Sequence, residues 1–286
     1  MMPMRKPFSG DPLFPFDLVH RTVRQPETEL PDHFHDQFEL VYVYDGRGVF
    51  FIDNTWWDIY PGNLFFIPGN TIHHSISDPN DPVCSSALFF APSLLAESSL
   101  DPSYSRLLCY EFARKNRQYR SELPERLKRI AEEALDEIDR ELRRQLPGYR
   151  EAVRLVLCRF LLELNRFLPG RAGQRGDGAR IGPAWMLEAL RQIDEHPEHG
   201  ISLAGLAEHA QVSAPHFSRV FRRLTTMNVT QYVNAKRIVK AKELLLKTNE
   251  NVGVIAERCG YETPTHFYRV FKELTGVAPG AYRRGG

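Results

Sequence analysis

The sequence predicts a two-domain α+β protein: an N-terminal β-barrel with a helical hairpin, followed by an all-α domain. Three observations point there. Short β-rich runs with turn punctuation fill roughly the first ninety residues. Apolar residues at helical spacing amid dense charge follow. Near the end a ten-residue amphipathic segment recurs fifty positions apart, as HFSRVFRRLT (216–225) and HFYRVFKELT (266–275), with seven positions identical. A chain of 286 residues has room for two domains, and its 42% hydrophobic and 26% charged residues are ordinary for a globular protein.

The overall charge of +1 hides an asymmetry. Residues 1–115 hold 8 Lys+Arg against 15 Asp+Glu, a net of −7, whereas residues 116–182 and 183–286 are each +4. An acidic front and a basic back suit a nucleic-acid partner for the back alone. Cys84, Cys109, Cys158 and Cys259 are far apart and show no metal-finger spacing, which argues against disulfides or structural zinc and for a reducing cytoplasm. Prolines interrupt the start, MMPMRKPFSGDPLFPF, where a signal peptide needs an apolar core. No apolar run approaches the roughly 18 residues that span a bilayer, so no membrane partner is expected.

In order along the chain, residues 1–115 form the barrel. The runs FELVYVY (38–44), GVFFID (48–53), NLFFIP (63–68) and SSALFFA (85–91) are its clearest strands, separated by Asp45-Gly46, Asp53-Asn54, Pro61-Gly62 and Asp78-Pro79. Trp56 and Trp57 are adjacent, so strand alternation sends one of them away from the interior. Residues 116–170 form the hairpin. Leu127, Ile130, Ala131, Ala134, Ile138 and Leu142 mark a helix over 123–145, Pro147-Gly148 stops it, and a second helix over about 150–168 is apolar around a wide arc. That second helix can pack on the barrel, pair with a second copy in a homodimer, or do both. Residues 171–182, within the Gly- and Arg-rich stretch PGRAGQRGDGARIG (169–182), form a flexible linker.

The remainder, 183–286, predicts helices at about 185–195, 203–209, 214–224, 230–247, 252–258 and 264–274, with a last turn near 280–283. Ser202, Ser213 and Thr263 are caps, and Pro264 sits at a first helical position where no amide is needed. Gln211-Val212-Ser213 and Gly260-Tyr261-Glu262 form corners, so the helices pair into two helix-turn-helix units. Ala207 to His216 is nine steps and Ala256 to His266 is ten, which makes the second corner one residue longer.

The segments LAEHAQVSAPHFSRVFRR, RIVKAKELL (237–245) and IAERCGYETPTHFYRVFKELTGVAPGAYRR (255–284) together resemble the DNA-binding domain of the AraC/XylS family of bacterial transcription regulators. The resemblance covers about 183–284. It implies promoter DNA and RNA polymerase as partners, with each second helix in the major groove and the two about 34–36 Å apart. Base-facing positions would be Pro215, Ser218 and Arg219 on the first helix and Thr265, Tyr268 and Arg269 on the second. Arg222, Arg223 and Lys272 would reach phosphate or solvent. His216 and His266 are expected to pack.

In the front half His33, His35 and Glu39 followed by Gly46, and then Gly62, Pro68 and His73, resemble the two motifs of a cupin, a jelly-roll barrel. Asn70 and Ser77 stand where that pattern has glycine and asparagine. The resemblance implies an effector pocket at His33, His35, Glu39 and His73. Those side chains are a donor set for a first-row divalent metal and equally hydrogen-bond partners for a sugar or for one another, so no cofactor is required. Phe34, Tyr42, Trp56, Trp57 and Phe66 are aromatics that stack on a carbohydrate or fill the core. The function expected is an effector-responsive transcription activator binding a sugar-like small molecule. The alternative is a metal-dependent cupin dioxygenase or isomerase with an accessory helical domain.

Overall fold

In the computed structural model the described residues are 4–5, 13–24, 33–95, 101, 104–168, 183–225 and 227–285. The predicted linker at 171–182 lies outside them. The chain divides into two compact units: residues 7–30 with 35–179, and residues 1–6 and 31–34 with 180–286.

The strands are β1 (Met4–Arg5), β2 (Phe16–Val23), β3 (His33–Phe34), β4 (Phe38–Asp45), β5 (Gly48–Ile52), β6 (Thr55–Ile59), β7 (Asn63–Ile67), β8 (His73–Ser77), β9 (Cys84–Phe90) and β10 (Arg120–Glu122). In the first unit they form two antiparallel layers, β10-β7-β4-β9-β2 and β8-β5-β6. Alternation sets the faces. Val41 pairs with Phe65 across β4 and β7, Phe50 pairs with Trp57 across β5 and β6, and the rings of Phe50 and Phe65 meet at 5.0 Å between the layers. The other face of the larger sheet packs Phe38, Phe66 and Phe90 around Tyr110. Trp57 joins the main core, while neighbouring Trp56 turns to Phe51 and His74, so the expected split of the two indoles holds.

The helices of this unit are α1 (Leu108–Asn116), α2 (Glu125–Arg144) and α3 (Tyr149–Phe167). The last two are the hairpin, with Leu127, Ala131, Leu135 and Ile138 of α2 buried against Val153, Leu157, Phe160, Leu161 and Leu164 of α3. The sequence reading misses α1 and β10. The start of α1 is held from far away: Asn165 on α3 accepts the Cys109 amide at 2.8 Å and donates to the carbonyls of Ser105 and Arg106. The two departures from the cupin pattern have local causes. Asn70 lies at φ +64°, a left-handed region that asparagine tolerates best after glycine, and its amide donates to His35 O at 2.6 Å. Ser77 is buried and accepts the Val83 amide at 2.9 Å, pinning the turn before β9.

In the second unit β1 and β3 pair in parallel, and the helices are α4 (Ala184–Glu195), α5 (Leu203–His209), α6 (Ala214–Thr225), α7 (Val229–Lys247), α8 (Val252–Arg258), α9 (Pro264–Thr275) and α10 (Pro279–Gly285). Each expected helix is present, with ends within a residue or two. The predicted caps form: Ser202 accepts the Gly205 amide, Ser213 the His216 amide and Thr263 the His266 amide. Asn228 and Gln231 add a reciprocal capping box at the start of α7. Among the described residues no helix is long and apolar enough to cross a membrane.

Candidate nucleic-acid interface and barrel triad

The two helix-turn-helix units are built alike from buried residues outward. Phe217, Phe221 and Leu224 of α6, like Phe267, Phe271 and Leu274 of α9, are buried toward the joining helix and their own partner helix. The opposite faces are open. Pro215, Arg219, Arg222 and Arg223 on α6 and Thr265, Tyr268, Arg269 and Lys272 on α9 are exposed, and Ser218 is half-buried. Among the described residues Arg219 and Arg269 have no hydrogen-bond or ion-pair partner. Their guanidiniums are therefore available to an outside acceptor. His216 and His266 prove to be exposed rather than packed in the core, each touching one aromatic ring, Trp185 at 6.0 Å and Tyr261 at 5.5 Å.

Both recognition helices end in the same latch. The Thr225 hydroxyl donates to Phe221 O at 2.8 Å and accepts the Met227 amide, and Thr275 does the same with Phe271 O, at 2.7 Å, and Val277. Sequence reasoning passed over these threonines, although their recurrence at the end of the duplicated segment was the available signal.

Both corners also turn on a left-handed residue four positions after the matching alanine, Gln211 at φ +55° and Gly260 at φ +82°. The extra residue of the second corner falls after that point. Gly260 has a further reason to lack a side chain, since a Cβ there would lie 2.4 Å from Glu198 O. The signature on α7 braces the assembly. Arg237 donates to the carbonyls of Pro197, at 2.6 Å, and His199, at 3.1 Å, while Lys240 binds Glu198 at 2.8 Å and Lys236 binds Asp194 at 2.5 Å. A braced joining helix is what fixes the separation of two recognition helices.

In the barrel unit the structure brings together three of the four expected pocket residues. Glu39 Oε2 lies 3.1 Å from His35 Nε2 and 3.0 Å from His73 Nε2, and all three side chains are buried. Burial opposes the charge of Glu39. The hydrogen bonds from His35 and His73 overcome it and hold the carboxyl well below its usual range. The far nitrogen of each ring faces a carbonyl, His35 Nδ1 toward Gln37 O at 2.9 Å and His73 Nδ1 toward Thr71 O at 2.8 Å. A carbonyl only accepts, so both Nδ1 atoms carry hydrogen, and a hydrogen bond to the carboxylate requires a second hydrogen on Nε2. The fourth residue, His33, is buried on β3, which belongs to the other compact unit.

Further polar groups of this unit sit on the strand faces that line the interior. Arg24 donates to Ser85 Oγ at 3.0 Å and to Ser75 Oγ at 2.9 Å, bridging β9 and β8. The buried Trp57 Nε1–H has no hydrogen-bond partner among the described residues. Sequence reasoning named neither Arg24 nor the two serines, because an arginine after a strand carries no local mark of the surface it will face.

Comparison with known proteins bears on both units. A family described as a helix-turn-helix domain matches residues 206–285, and one described as an AraC-like ligand binding domain matches residues 15–149. The HTH-type transcriptional activator RhaR of Cronobacter sakazakii is 27% identical over 262 residues, covering 91% of this chain and 89% of the relative. The uncharacterized HTH-type transcriptional regulator YisR of Bacillus subtilis is 36% identical over 101 residues, which is 35% of this chain and 34% of that relative. Among solved structures, the C-terminal domain of AraT, a response regulator from Geobacillus stearothermophilus, is 33% identical with a TM-score of 0.36, covering 38% of this chain and 89% of that one.

Proposed function

The chain belongs to the AraC family of transcription regulators, and from that premise we propose that it is a DNA-binding transcription activator governed by a small molecule in its N-terminal unit. The observation that carries the DNA-binding half is the pair of matched recognition helices whose arginines, Arg219 and Arg269, are exposed and have no partner among the described residues. An arginine that reaches guanine O6 and N7 contributes about 1–3 kcal/mol of discrimination. The double variant Arg219→Ala, Arg269→Ala should therefore keep its helical circular dichroism and lose preference for a promoter fragment over random DNA. Wild-type preference in a mobility-shift assay would overturn these contacts. Pro215, Ser218, Thr265 and Tyr268 are the unlike positions that would set two different half-sites, with Arg222 and Lys272 on phosphate.

The enzyme alternative gains no support from the relatives, which are transcription regulators. The effector is proposed to be polyhydroxylated and sugar-like. Supporting that choice are hydrogen-bonding groups inside an aromatic-lined sheet pair: the indole N–H of Trp57, the Arg24 guanidinium across Ser75 and Ser85, and the His35–Glu39–His73 triad. Thermal unfolding of the full chain against a sugar panel is the test, because a ligand at 100 times its Kd stabilises by about 2.7 kcal/mol. No shift with any sugar at millimolar concentration would overturn that class.

The triad also fits a divalent metal. Each ring has Nδ1 tied to a carbonyl, the outer arrangement that orients histidine ligands, and loss of the Nε2 hydrogen would turn a lone pair toward an ionised carboxylate. A bound ion there would supply a charge that fixes an effector's oxygen. His35, Glu39 and His73 would hold it. Homodimerisation through α3 and recruitment of RNA polymerase complete the proposed activator, which would act in the cytoplasm with the promoter.

A further inference from the structure

We propose that His196, Glu198 and His199, in the loop between α4 and α5, form a first-row transition-metal site of the zinc type within the DNA-binding unit. One ligand atom from each residue lies within 4.8 Å of the others, and none of the three takes part in the barrel or in the recognition faces. Two imidazole nitrogens and one carboxylate oxygen are the donor types that zinc takes in open sites, where water completes the tetrahedron.

The loop is shaped before any ion arrives. Its sequence is HPEHG (196–200), and the His199 amide donates to His196 O at 3.2 Å, closing a turn that sets the two histidines on one side. Their rings lie 4.8 Å apart and 11° from parallel. The backbone beneath them is clamped by Arg237, which donates to Pro197 O and His199 O. Glu198 divides its carboxylate: Oε2 meets Lys240 Nζ at 2.8 Å, while Oε1 lies 3.5 Å from His196 Nδ1. Burial opposes its charge, but Lys240 and its own backbone amide outweigh that and lower it to about 2, so the carboxylate is ionised at neutral pH. Lys240 costs the site some affinity, and it also fixes the ligand oxygen. Both rings are exposed, so modest side-chain rotations close them onto an ion without moving the clamped backbone.

The position gives the ion something to do. Glu198 is also the residue whose backbone fills the space against Gly260, at the corner of the second helix-turn-helix unit. An ion on 196–199 therefore stiffens the junction between the loop that precedes the first unit, the joining helix α7 and the second corner.

The test uses the full chain, stripped by chelator and titrated with Zn2+ by calorimetry and with Co2+ by visible absorption. The variant His196→Ala, His199→Ala should bind one equivalent fewer than wild type and lose one tetrahedral Co2+ band. That difference of one is independent of the barrel, whose occupancy is read separately from Glu39→Gln. Glu198→Gln should weaken the same equivalent roughly tenfold or more. Unchanged stoichiometry and spectrum in the double histidine variant, with its helical signal intact, would overturn the site. Wild-type affinity in Glu198→Gln would overturn the three-donor geometry.

Discussion

Glu39 shows at the scale of one residue how a polar group earns a place in a core. Its carboxylate is buried, and what holds it charged is a pair of imidazoles that are themselves anchored to carbonyls. Removing one partner of a buried ionic cluster costs more than the cluster is worth, about 3–5 kcal/mol. Glu39→Gln should therefore lower the unfolding free energy of the N-terminal unit by an amount in that range, read as a lower denaturant midpoint with unchanged m-value. A midpoint within error of wild type would show that the triad does not hold the sheets together. The triad was legible in the sequence because His35, Glu39 and His73 stand at the positions of the two motifs that resemble a cupin. Arg24 was not legible, since its partners Ser75 and Ser85 lie more than fifty residues away and serine carries no distinctive pattern.

At the scale of elements, the helices of the second unit were legible because each carries its own start and stop. Serine or threonine caps open α5, α6 and α9, and apolar stripes run through them. The first unit shows the converse in α1. Leu107 stands at its cap position and offers no side-chain acceptor, so nothing nearby announces a helix. The acceptor comes from Asn165 on α3, through a contact that exists only after folding. Asn165→Ala would leave the Cys109 amide and the carbonyls of Ser105 and Arg106 without this partner in a buried place. At about 1–3 kcal/mol for an orphaned group, the loss should reach about 2–4 kcal/mol and appear first as hydrogen exchange at the start of α1. Uniform exchange loss across the whole unit would show instead that Asn165 supports the fold globally. The corners add a case where residue type misleads, because Gln211 adopts the left-handed conformation that Gly260 adopts with ease.

For the whole molecule, the proposed dimer and the two-site reader set different requirements. The outer face of the hairpin has a groove of about 230 Å3 lined by Ile130, Glu133, Ala134, Leu155, Val156 and Phe160, and Leu155 is 61% exposed. Leu155→Glu should convert a dimer to monomer in sedimentation velocity with the helical circular dichroism of the chain unchanged. A dimer that persists would place the contact elsewhere. The reader has a stricter demand, which follows from the paired threonine latches. Because Thr225 and Thr275 stop their helices at the same point, α6 and α9 are both twelve residues long, and neither can lengthen to compensate for the other. With a braced α7 between them, the two proposed DNA contacts would have a fixed phase on the double helix. One inserted base pair between the half-sites turns the second out of register by about a tenth of a turn. The promoter would have to absorb that error by twisting, so the torsional stiffness of the spacer DNA becomes part of what this protein measures.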